Sequence, residues 1–323
     1  MSARLTPTQT SISTFVQSAC EIARAWHKQG QLAEAIEFLT ALTTTEPIIS
    51  APEADRAKLW ADLGKLEAHN SFFNNTNFEG TLEILSQAEQ LAASVDCKSL
   101  VAQSLQWRGF AINSRVFHGG EGNYEDALPD SEKALQLREA LEDYRGWAES
   151  LVYTAIIYER LQQTEKAKSC YEHALALSQT HELPEEESYA LRHLAFMRQN
   201  EGDLEGALDY FKQSLELREA LDMKINLPLS YSAVGHVCLE LQQFDDATKY
   251  LNQTLEVAEA MKVPRVTSIA LYLLGETHTV LEQFTEAMNC FEKSLTISES
   301  LDYQAGIDRA QARIGVLKES AHT

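Results

Sequence analysis

The chain lacks the features that would place it in several common protein classes. No stretch approaches 18 uncharged apolar residues, and the N-terminus, MSARLTPTQTSISTF, lacks the apolar core of a signal peptide. The five cysteines are scattered without a CxxC pair, so the usual zinc and redox motifs are absent. The 7 prolines and 14 glycines are too few for a disordered or fibrous protein of 323 residues. These absences predict a folded, cytoplasmic protein with reduced cysteines.

Basic residues are also scarce, with 27 Lys and Arg against 48 Asp and Glu, which gives a net charge of −21. Nucleic acids and anionic membranes attract cationic surfaces, so neither is expected as a partner. A neutral or basic protein fits better. The acids also have a simpler explanation, because they keep a long helical surface soluble.

Motifs that carry chemistry are missing. The segment 118–122, HGGEG, resembles the Gly-rich oxyanion loop of esterases, but no GxSxG sequence accompanies it. No GxxxxGK[ST], GxGxxG or HExxH sequence occurs either. We therefore predict that the protein is not an enzyme and that it uses no cofactor and no metal.

A repeat runs through most of the sequence. Alanines recur at a constant interval at Ala127, Ala167, Ala207, Ala247 and Ala287. A second series of small residues precedes them by twelve, at Ala155, Ala195, Gly235 and Gly275. Upstream, Thr81 and Ala35 continue the first series at longer intervals of 46. Self-similarity at a fixed period is the signature of a repeat architecture, in which each unit packs on its neighbours.

The spacing of apolar residues inside each repeat predicts two helices. Leu151, Ala155 and Tyr158 follow the i, i+4, i+7 spacing of one helical face. The two small residues let the paired helices approach closely, and a large residue fills the space beside them. That large residue is Tyr171, Phe211, Leu251 or Phe291 in successive repeats. Each repeat is therefore expected to form a helical hairpin with an A helix and a B helix.

Two insertions and several prolines mark the connections. The insertions, SFFNNTN at 71–77 and HGGEG at 118–122, have the composition of loops. Pro184, Pro228 and Pro264 stand where an A helix begins, since proline is tolerated in a first turn. Pro129 interrupts a B helix and predicts a kink or a late helix start.

These residues resemble the tetratricopeptide repeat family, whose units place large, small, Ala and Phe/Tyr residues in this order. The usual unit has about 34 residues, so the spacing of about 40 residues seen here is similar to a variant with longer helices. The resemblance implies an all-α, right-handed α-solenoid of about seven hairpins, with a C-terminal capping helix at 305–320. We predict a single superhelix over 1–323, with repeats at 11–45, 54–96, 99–142, 147–182, 187–222, 227–262 and 267–302.

The resemblance also implies a ligand on the concave side, which the A helices line. The first two repeats place Lys, Arg and His there without an acid, whereas the last two add Glu without Lys or Arg. We therefore predict a groove graded from basic to acidic that holds a peptide in one direction, although free variation of inner residues would also explain the pattern. The predicted groove residues are Arg24, His27, Lys58, Lys65, Gln106, Phe110, Asn113, Arg160, Tyr189, Arg192, Phe196, Gln199, Asn200, His236, Tyr272 and Glu276.

Two functions fit this pattern. The favoured one is a non-catalytic scaffold or adaptor that binds a peptide or protein segment. The alternative is a sensor module that responds to a small molecule or peptide and acts on a separate output protein. The expected partner is a protein or peptide, not nucleic acid or a membrane, and homo-oligomerisation stays open.

Overall fold

The computed structural model describes residues 7–320, which fold into sixteen α-helices without a β-strand. Fourteen of these helices form seven hairpins, each with an A helix followed by a B helix. The pairs are α1 (Pro7–Lys28) with α2 (Leu32–Thr43), α4 (Glu53–Asn74) with α5 (Phe78–Ser94), α6 (Lys98–Phe117) with α7 (Leu128–Ala140), α8 (Tyr144–Arg160) with α9 (Thr164–Thr180), α10 (Pro184–Asn200) with α11 (Leu204–Ala220), α12 (Leu227–Glu240) with α13 (Phe244–Ala260), and α14 (Pro264–Val280) with α15 (Phe284–Ser300). A single turn, α3 (Glu46–Ile49), follows the first hairpin, and α16 (Gln304–Ser320) follows the last. The predicted all-α fold of seven hairpins and a final helix is confirmed.

Backbone contacts group the chain into two compact units, Met1–Ala190 and Leu191–Thr323. The division falls inside α10, so the first unit holds the first four hairpins and the second holds α11, the last two hairpins and α16. The single superhelix over 1–323 stays a prediction.

The small residues in the A helices stand where a B helix passes closely. A Cβ atom on Gly275 would lie 2.6 Å from a ring carbon of Phe291, and one on Gly235 would lie 2.9 Å from Cγ of Leu251. Interiors this dense leave no room for an added atom without a shift. The predicted pairing of a small residue with a large one is confirmed at both positions.

The turn after each of the last five B helices uses a left-handed residue that is not glycine. Glu142, Glu182, Asp222, Lys262 and Asp302 occupy the same place in successive repeats, with φ between 50° and 54°. The following amide closes the turn; for example, the N–H of Asp143 donates to the carbonyl of Arg138. This arrangement is a helix C-terminal motif that usually takes glycine, so the residue types at these positions did not predict it.

The first insertion differs from its prediction. Helix α4 continues through Asn74, and only Asn75 to Asn77 form a turn, with φ of 51° and 54° at its ends. The hydroxyls of Ser71 and Thr81 form a hydrogen bond of 2.9 Å, which ties the extra helical turn to α5. The predicted loop over 71–77 is therefore wrong for its first four residues. The second insertion does form a loop, because α6 ends at Phe117.

The prolines begin helices as predicted. Pro184 and Pro264 are the first residues of α10 and α14, and Pro228 is the second residue of α12. Upstream of Pro129 the chain forms a 3-10 turn over Tyr124–Ala127. Helix α7 starts only at Leu128, so Pro129 is its second residue. The prediction of a late helix start is confirmed.

Candidate functional site

In the first unit, aromatic rings from four successive A helices form one cluster. The imidazoles of His27 on α1 and His69 on α4 stack with their centroids 4.7 Å apart. His69 meets Trp107 of α6 edge-on at 4.6 Å, and Trp107 meets Tyr153 of α8 at 4.7 Å. Phe110 lies 5.0 Å from Tyr153 and 6.1 Å from His69. The structure thus brings the predicted groove residues His27 and Phe110 into the same cluster.

The predicted groove residue Lys65 joins this cluster through an ion network. Its Nζ lies 4.7 Å from the centroid of the Trp107 ring and 2.7 Å from Oε1 of Glu149 on α8. The guanidinium of Arg138 donates to the other oxygen of Glu149 at 2.8 Å. Burial opposes the charge on Lys65, but the attraction of Glu149 and its hydrogen bond raise the pKa of Lys65. Burial acts against charged Glu149 too, yet Lys65 and Arg138 hold its pKa at about 2. Lys65 and Glu149 are therefore both charged at neutral pH.

The predicted stretch of unopposed positive charge is wrong. Asp62, which is buried on α4, lies 3.5 Å from Arg24 and 3.6 Å from Lys58. The ammonium of Lys28 pairs with Glu185 of α10 at 2.5 Å. Asp62 lies one helical turn after Lys58, and Glu185 is distant in sequence. Each of these cations is paired with an acid that does not lie among the predicted inner residues of the first two repeats.

The two stacked histidines are neutral at physiological pH. Burial and then the positive charges of Lys65 and Lys28 lower the pKa of His27 to about 4. Burial and then His27 and Lys65 lower the pKa of His69 well below its usual value. Its Nε2 lies 3.4 Å from the hydroxyl of Tyr153. The pair therefore packs as uncharged rings and does not supply positive charge.

Two amide side chains of α6 are buried with unused hydrogen-bonding capacity. Gln106 is fully buried, and within the described residues neither atom of its amide has a hydrogen-bond partner. Asn113, two turns later, is 2% exposed, and its Oδ1 has no partner in the same part of the chain. By contrast, Gln103 donates to Asp62 at 2.9 Å. A buried polar group without a partner typically costs about 1 to 3 kcal/mol, so Gln106 and Asn113 call for an explanation.

Two other predicted residues of the first unit lie towards the ends of its later A helices. The guanidinium of Arg160 stands over the ring of Phe117, 4.5 Å from its centroid. Tyr189 is half-buried on α10. Arg160 and Phe117 therefore form a stacked pair at the end of α8.

In the second unit, the predicted residues fall into small local groups. Gln199 donates to Glu240 at 2.6 Å, and its Nε2 lies 3.4 Å from Nδ1 of His236. Arg192 stacks over Phe196 at 4.7 Å. Asn200 is exposed at the end of α10. The structure thus brings Gln199 together with His236, and Arg192 together with Phe196.

The predicted acidic end of the groove is also neutralised. Both carboxylate oxygens of Glu276 accept hydrogen bonds from the guanidinium of Arg313 on α16. The guanidinium of Arg309, on the same helix, lies 5.4 Å from the ring centroid of Tyr272. The cations that contact Glu276 and Tyr272 therefore come from α16, which lies outside the last repeat. The graded charge of the groove is not supported at either end.

Some residues of these clusters escaped the sequence analysis. Trp107 contacts His69 and Lys65, and Arg138 donates to Glu149. Both residues are buried. Arg138 has an equivalent two repeats later, Arg218, which is 1% exposed and donates to Ser230 at 2.8 Å. The sequence does carry a signal for Arg138, because an arginine recurs at this place of the B helix, among residues expected to be apolar. Such a residue requires a buried acceptor, because a buried guanidinium without one is unfavourable.

Metal-ligating groups and membrane-spanning helices are both missing from residues 7–320. No group of three or more His, Cys, Asp or Glu stands close enough there to hold a metal ion. No helix in that range is both long and apolar enough to cross a bilayer.

Models of the tetratricopeptide repeat match the chain at three places. One matches residues 116–180 and 186–260, and a second with the same description matches 269–301. Together these matches cover more than half of the 323 residues. No curated protein has a sequence that matches this chain.

Several solved structures share the fold at low sequence identity. Aspartyl phosphate phosphatase F from Bacillus subtilis superposes with a TM-score of 0.54 at 11% identity, covering 100% of this chain and 96% of its own. A Rap protein complexed with competence and sporulation factor gives 0.58 at 13% identity, covering 95% and 98%. The apo form of the quorum sensor NprR from B. thuringiensis gives 0.54 at 13% identity, covering 95% and 88%. Identities this low show similarity of fold alone.

Proposed function

Because the chain belongs to the tetratricopeptide repeat family, we propose that it is a non-catalytic scaffold that binds a peptide or protein segment. The binding surface is the inner side of the A helices, and in the first unit it centres on α6. Gln106, Phe110 and Asn113 form its middle, with His27 and Lys65 beside them.

The observation that carries this proposal is the unused amide groups of α6. Gln106 and Asn113 are two helical turns apart, which places them on one face with Phe110 between them. Both amides are buried in the free chain, so a peptide reaches them by displacing the side chains that cover them. An extended peptide then offers backbone N–H and C=O groups in alternation, which satisfy both donors and acceptors of such amides. The neighbouring aromatic rings can receive an apolar side chain of the same peptide.

The corrected charges change what this surface recognises. The cations Arg24, Lys58 and Lys65 are already paired with acids of the same unit, so a free charge is not what they offer a ligand. Recognition by amides and rings therefore replaces recognition by a charge gradient. The second unit has its own polar and aromatic residues on the A helices, described separately: Gln199, Asn200, His236, Tyr272, Arg192, Phe196 and Glu276.

The neighbouring folds are compatible with this function. One of them is a Rap protein complexed with competence and sporulation factor, and another is a quorum sensor. The similarity to a phosphatase leaves catalysis to be tested directly, so the purified chain should be assayed with an acyl phosphate substrate. We expect no turnover.

The variant Gln106→Leu tests the proposal. Leucine fills a similar volume and removes the unpartnered amide, so the free protein should become more stable by roughly 1 kcal/mol while partner binding weakens. The partner is first isolated by affinity capture with the full chain, and its binding to wild type and variant is then measured by calorimetry. Gln103→Leu is the control. Gln103 already donates to Asp62, so this variant loses a hydrogen bond and should be less stable than wild type. Unchanged affinity in Gln106→Leu would refute the role of this face.

A sensor function is the second candidate, and one contact favours it. The ion pair between Lys28 and Glu185 joins the first A helix of the first unit to α10, the last helix in that unit. A ligand that strengthens or breaks such a contact could change how the helices of this unit are arranged, which is the basis of a conformational response. Small-angle scattering of the full chain with and without the isolated partner decides this, since a scaffold keeps its scattering profile and a sensor does not.

A further inference from the structure

A polar cavity lies in the second unit, among residues that were not predicted to bind a ligand. It has a volume of about 330 Å³ and is bounded by the B helices α11 and α13 and by Tyr231 of α12. Helix α11 contributes Glu219, and helix α13 contributes Lys249, Tyr250 and Gln253. This volume is sufficient for a small ligand, since the range of such sites starts at about 300 Å³.

One residue of this cavity, Tyr231, differs from its equivalents in other repeats. The residue equivalent to Tyr231 in three other repeats is Leu151, Leu191 or Leu271. The residue equivalent to Tyr250 is a cysteine, Cys170 or Cys290, in two other repeats and a tyrosine, Tyr210, in a third. The leucines are the standard packing residues of the A helix, so Tyr231 is a departure that brings a polar ring into this place.

The two tyrosine rings form a surface suited to a cation. Their centroids are 6.4 Å apart with an angle of 29° between the ring planes. The ammonium of Lys249 already lies 5.4 Å from the centroid of Tyr250. An aromatic face attracts a cation at such distances, and the chain itself uses this property here.

The same cavity offers oxygen atoms as acceptors. Glu219 accepts a hydrogen bond from the hydroxyl of Tyr231 at 2.6 Å and keeps further lone pairs. The Oε1 atom of Gln253 is buried, and within residues 7–320 no donor reaches it. Burial and then the negative charge of Asp246 raise the pKa of Tyr250, with Glu219 acting in the same direction. The lining as a whole holds two carboxylates, Glu216 and Glu219, and two lysines, Lys212 and Lys249.

We propose that this cavity binds the guanidinium group of an arginine side chain from a partner protein. A guanidinium is planar and can lie against the tyrosine rings, while its N–H groups donate to Glu219 and to Oε1 of Gln253. The net charge of −21 favours the approach of a cationic partner. On binding, the ligand takes the place of the Lys249 ammonium at the ring of Tyr250. This site lies between two B helices, with one residue from the A helix α12, and is independent of the inner face proposed above.

The test uses the full chain and a small probe. N-acetyl-arginine amide is titrated while the backbone amide resonances of Tyr231, Tyr250 and Gln253 are followed by NMR. N-acetyl-citrulline amide is the matched control, since it has nearly the same shape without the charge. We expect saturable shifts with the arginine probe and none with the citrulline probe. Equal shifts with both probes would overturn the proposal.

Two variants change the affinity in opposite directions. Glu219→Gln removes the charged acceptor and should weaken binding about tenfold. Lys249→Ala removes the competing ammonium and should strengthen binding. Glu259→Gln is the matched control at the same place of the next repeat, where Leu271 stands in place of Tyr231, and it should leave the affinity unchanged. Weaker binding in Lys249→Ala, or equal losses in Glu219→Gln and Glu259→Gln, would show that the site is elsewhere.

Tyr231→Leu gives an independent check that does not depend on charge. It restores the residue of the other repeats, so the helical circular dichroism and cooperative unfolding should be retained. Binding of the arginine probe should be lost, and retained binding in a folded Tyr231→Leu protein would contradict the proposal.

Discussion

Lys65 and Glu149 are 84 residues apart in sequence, and their side chains pair at 2.7 Å between α4 and α8. Glu149 also accepts a hydrogen bond from Arg138, so one carboxylate neutralises cations of an A helix and a B helix. This contact joins repeats that are not adjacent in sequence. It makes the inner side of the first unit a network of paired charges around aromatic rings.

Removing the cation of this pair should destabilise the protein. Lys65→Met leaves Glu149 mostly buried with Arg138 as its main partner, and we expect the free energy of unfolding to fall by about 2 kcal/mol. Urea unfolding followed by circular dichroism measures the change. Arg198→Met is the control, because the pair of Arg198 and Asp203 is exposed and should contribute less than about 1 kcal/mol. Equal losses in the two variants would contradict the prediction.

The stability of the fold should depend on pH through His27. Its pKa is about 4 in the folded chain and near 6.5 when unfolded, so the unfolded chain binds the proton more readily. Its contribution to stability is present above pH 6.5 and is lost as the pH falls towards 4. Each unit of pKa difference corresponds to about 1.4 kcal/mol. His27→Gln should therefore lose less stability than wild type between about pH 7 and pH 4.5, and identical losses would argue against the assignment.

Glu186 should act in the opposite direction. It is 7% exposed and lies 3.6 Å from Arg145, and burial raises its pKa to about 7 despite the attraction of Arg145. Its contribution is fully present below about pH 4.5 and is lost as the pH rises through 7. Glu186→Gln should therefore stabilise the protein at about pH 8 by roughly 1 to 3 kcal/mol and change it little at about pH 4.5. Thermal unfolding at the two pH values measures this, and an equal effect at both would refute it.

Two glycines at equivalent places of the repeat should respond differently to alanine. A Cβ on Gly275 meets the ring of Phe291 at 2.6 Å, whereas one on Gly315 meets nothing within 4 Å. Gly275→Ala should cost about 1 to 3 kcal/mol through overpacking. Gly315→Ala should stabilise α16 by up to about 1 kcal/mol, because alanine is the better helix former. A gain in both variants would mean that the close approach at Gly275 is not required.

The hairpins were predictable from sequence because their determinants are local. The combination of Ala155 with Tyr171 in one repeat, or Gly275 with Phe291 in another, indicates both the helical face and the close approach of the paired helices. The first insertion shows where local composition fails. Its asparagine-rich composition favours a loop. The ring centroids of Phe72 and Phe110 are nevertheless 5.6 Å apart, and the helix continues. Tertiary packing overrides propensity in such a case.

The candidate site was predictable in part. Helix faces identify His27, Lys65, Gln106 and Phe110 as inner residues, because the period of a helix determines which side chains share a side. Their partners were not predictable, since Glu149 comes from a repeat that is not adjacent. The pairing of charges is a property of how several helices pack, which a single repeat does not contain.

The left-handed turns after the B helices have a practical consequence for protein engineering. Glu142, Glu182, Asp222, Lys262 and Asp302 each hold a conformation that disfavours a side chain, and they are spaced along the chain at separate turns. Glycine at these positions relieves the strain, with a gain of up to about 1 kcal/mol each after the entropy of the unfolded chain is subtracted. Gains at distant sites add, so these five turns form a series of positions at which the chain can be made more heat-resistant in steps.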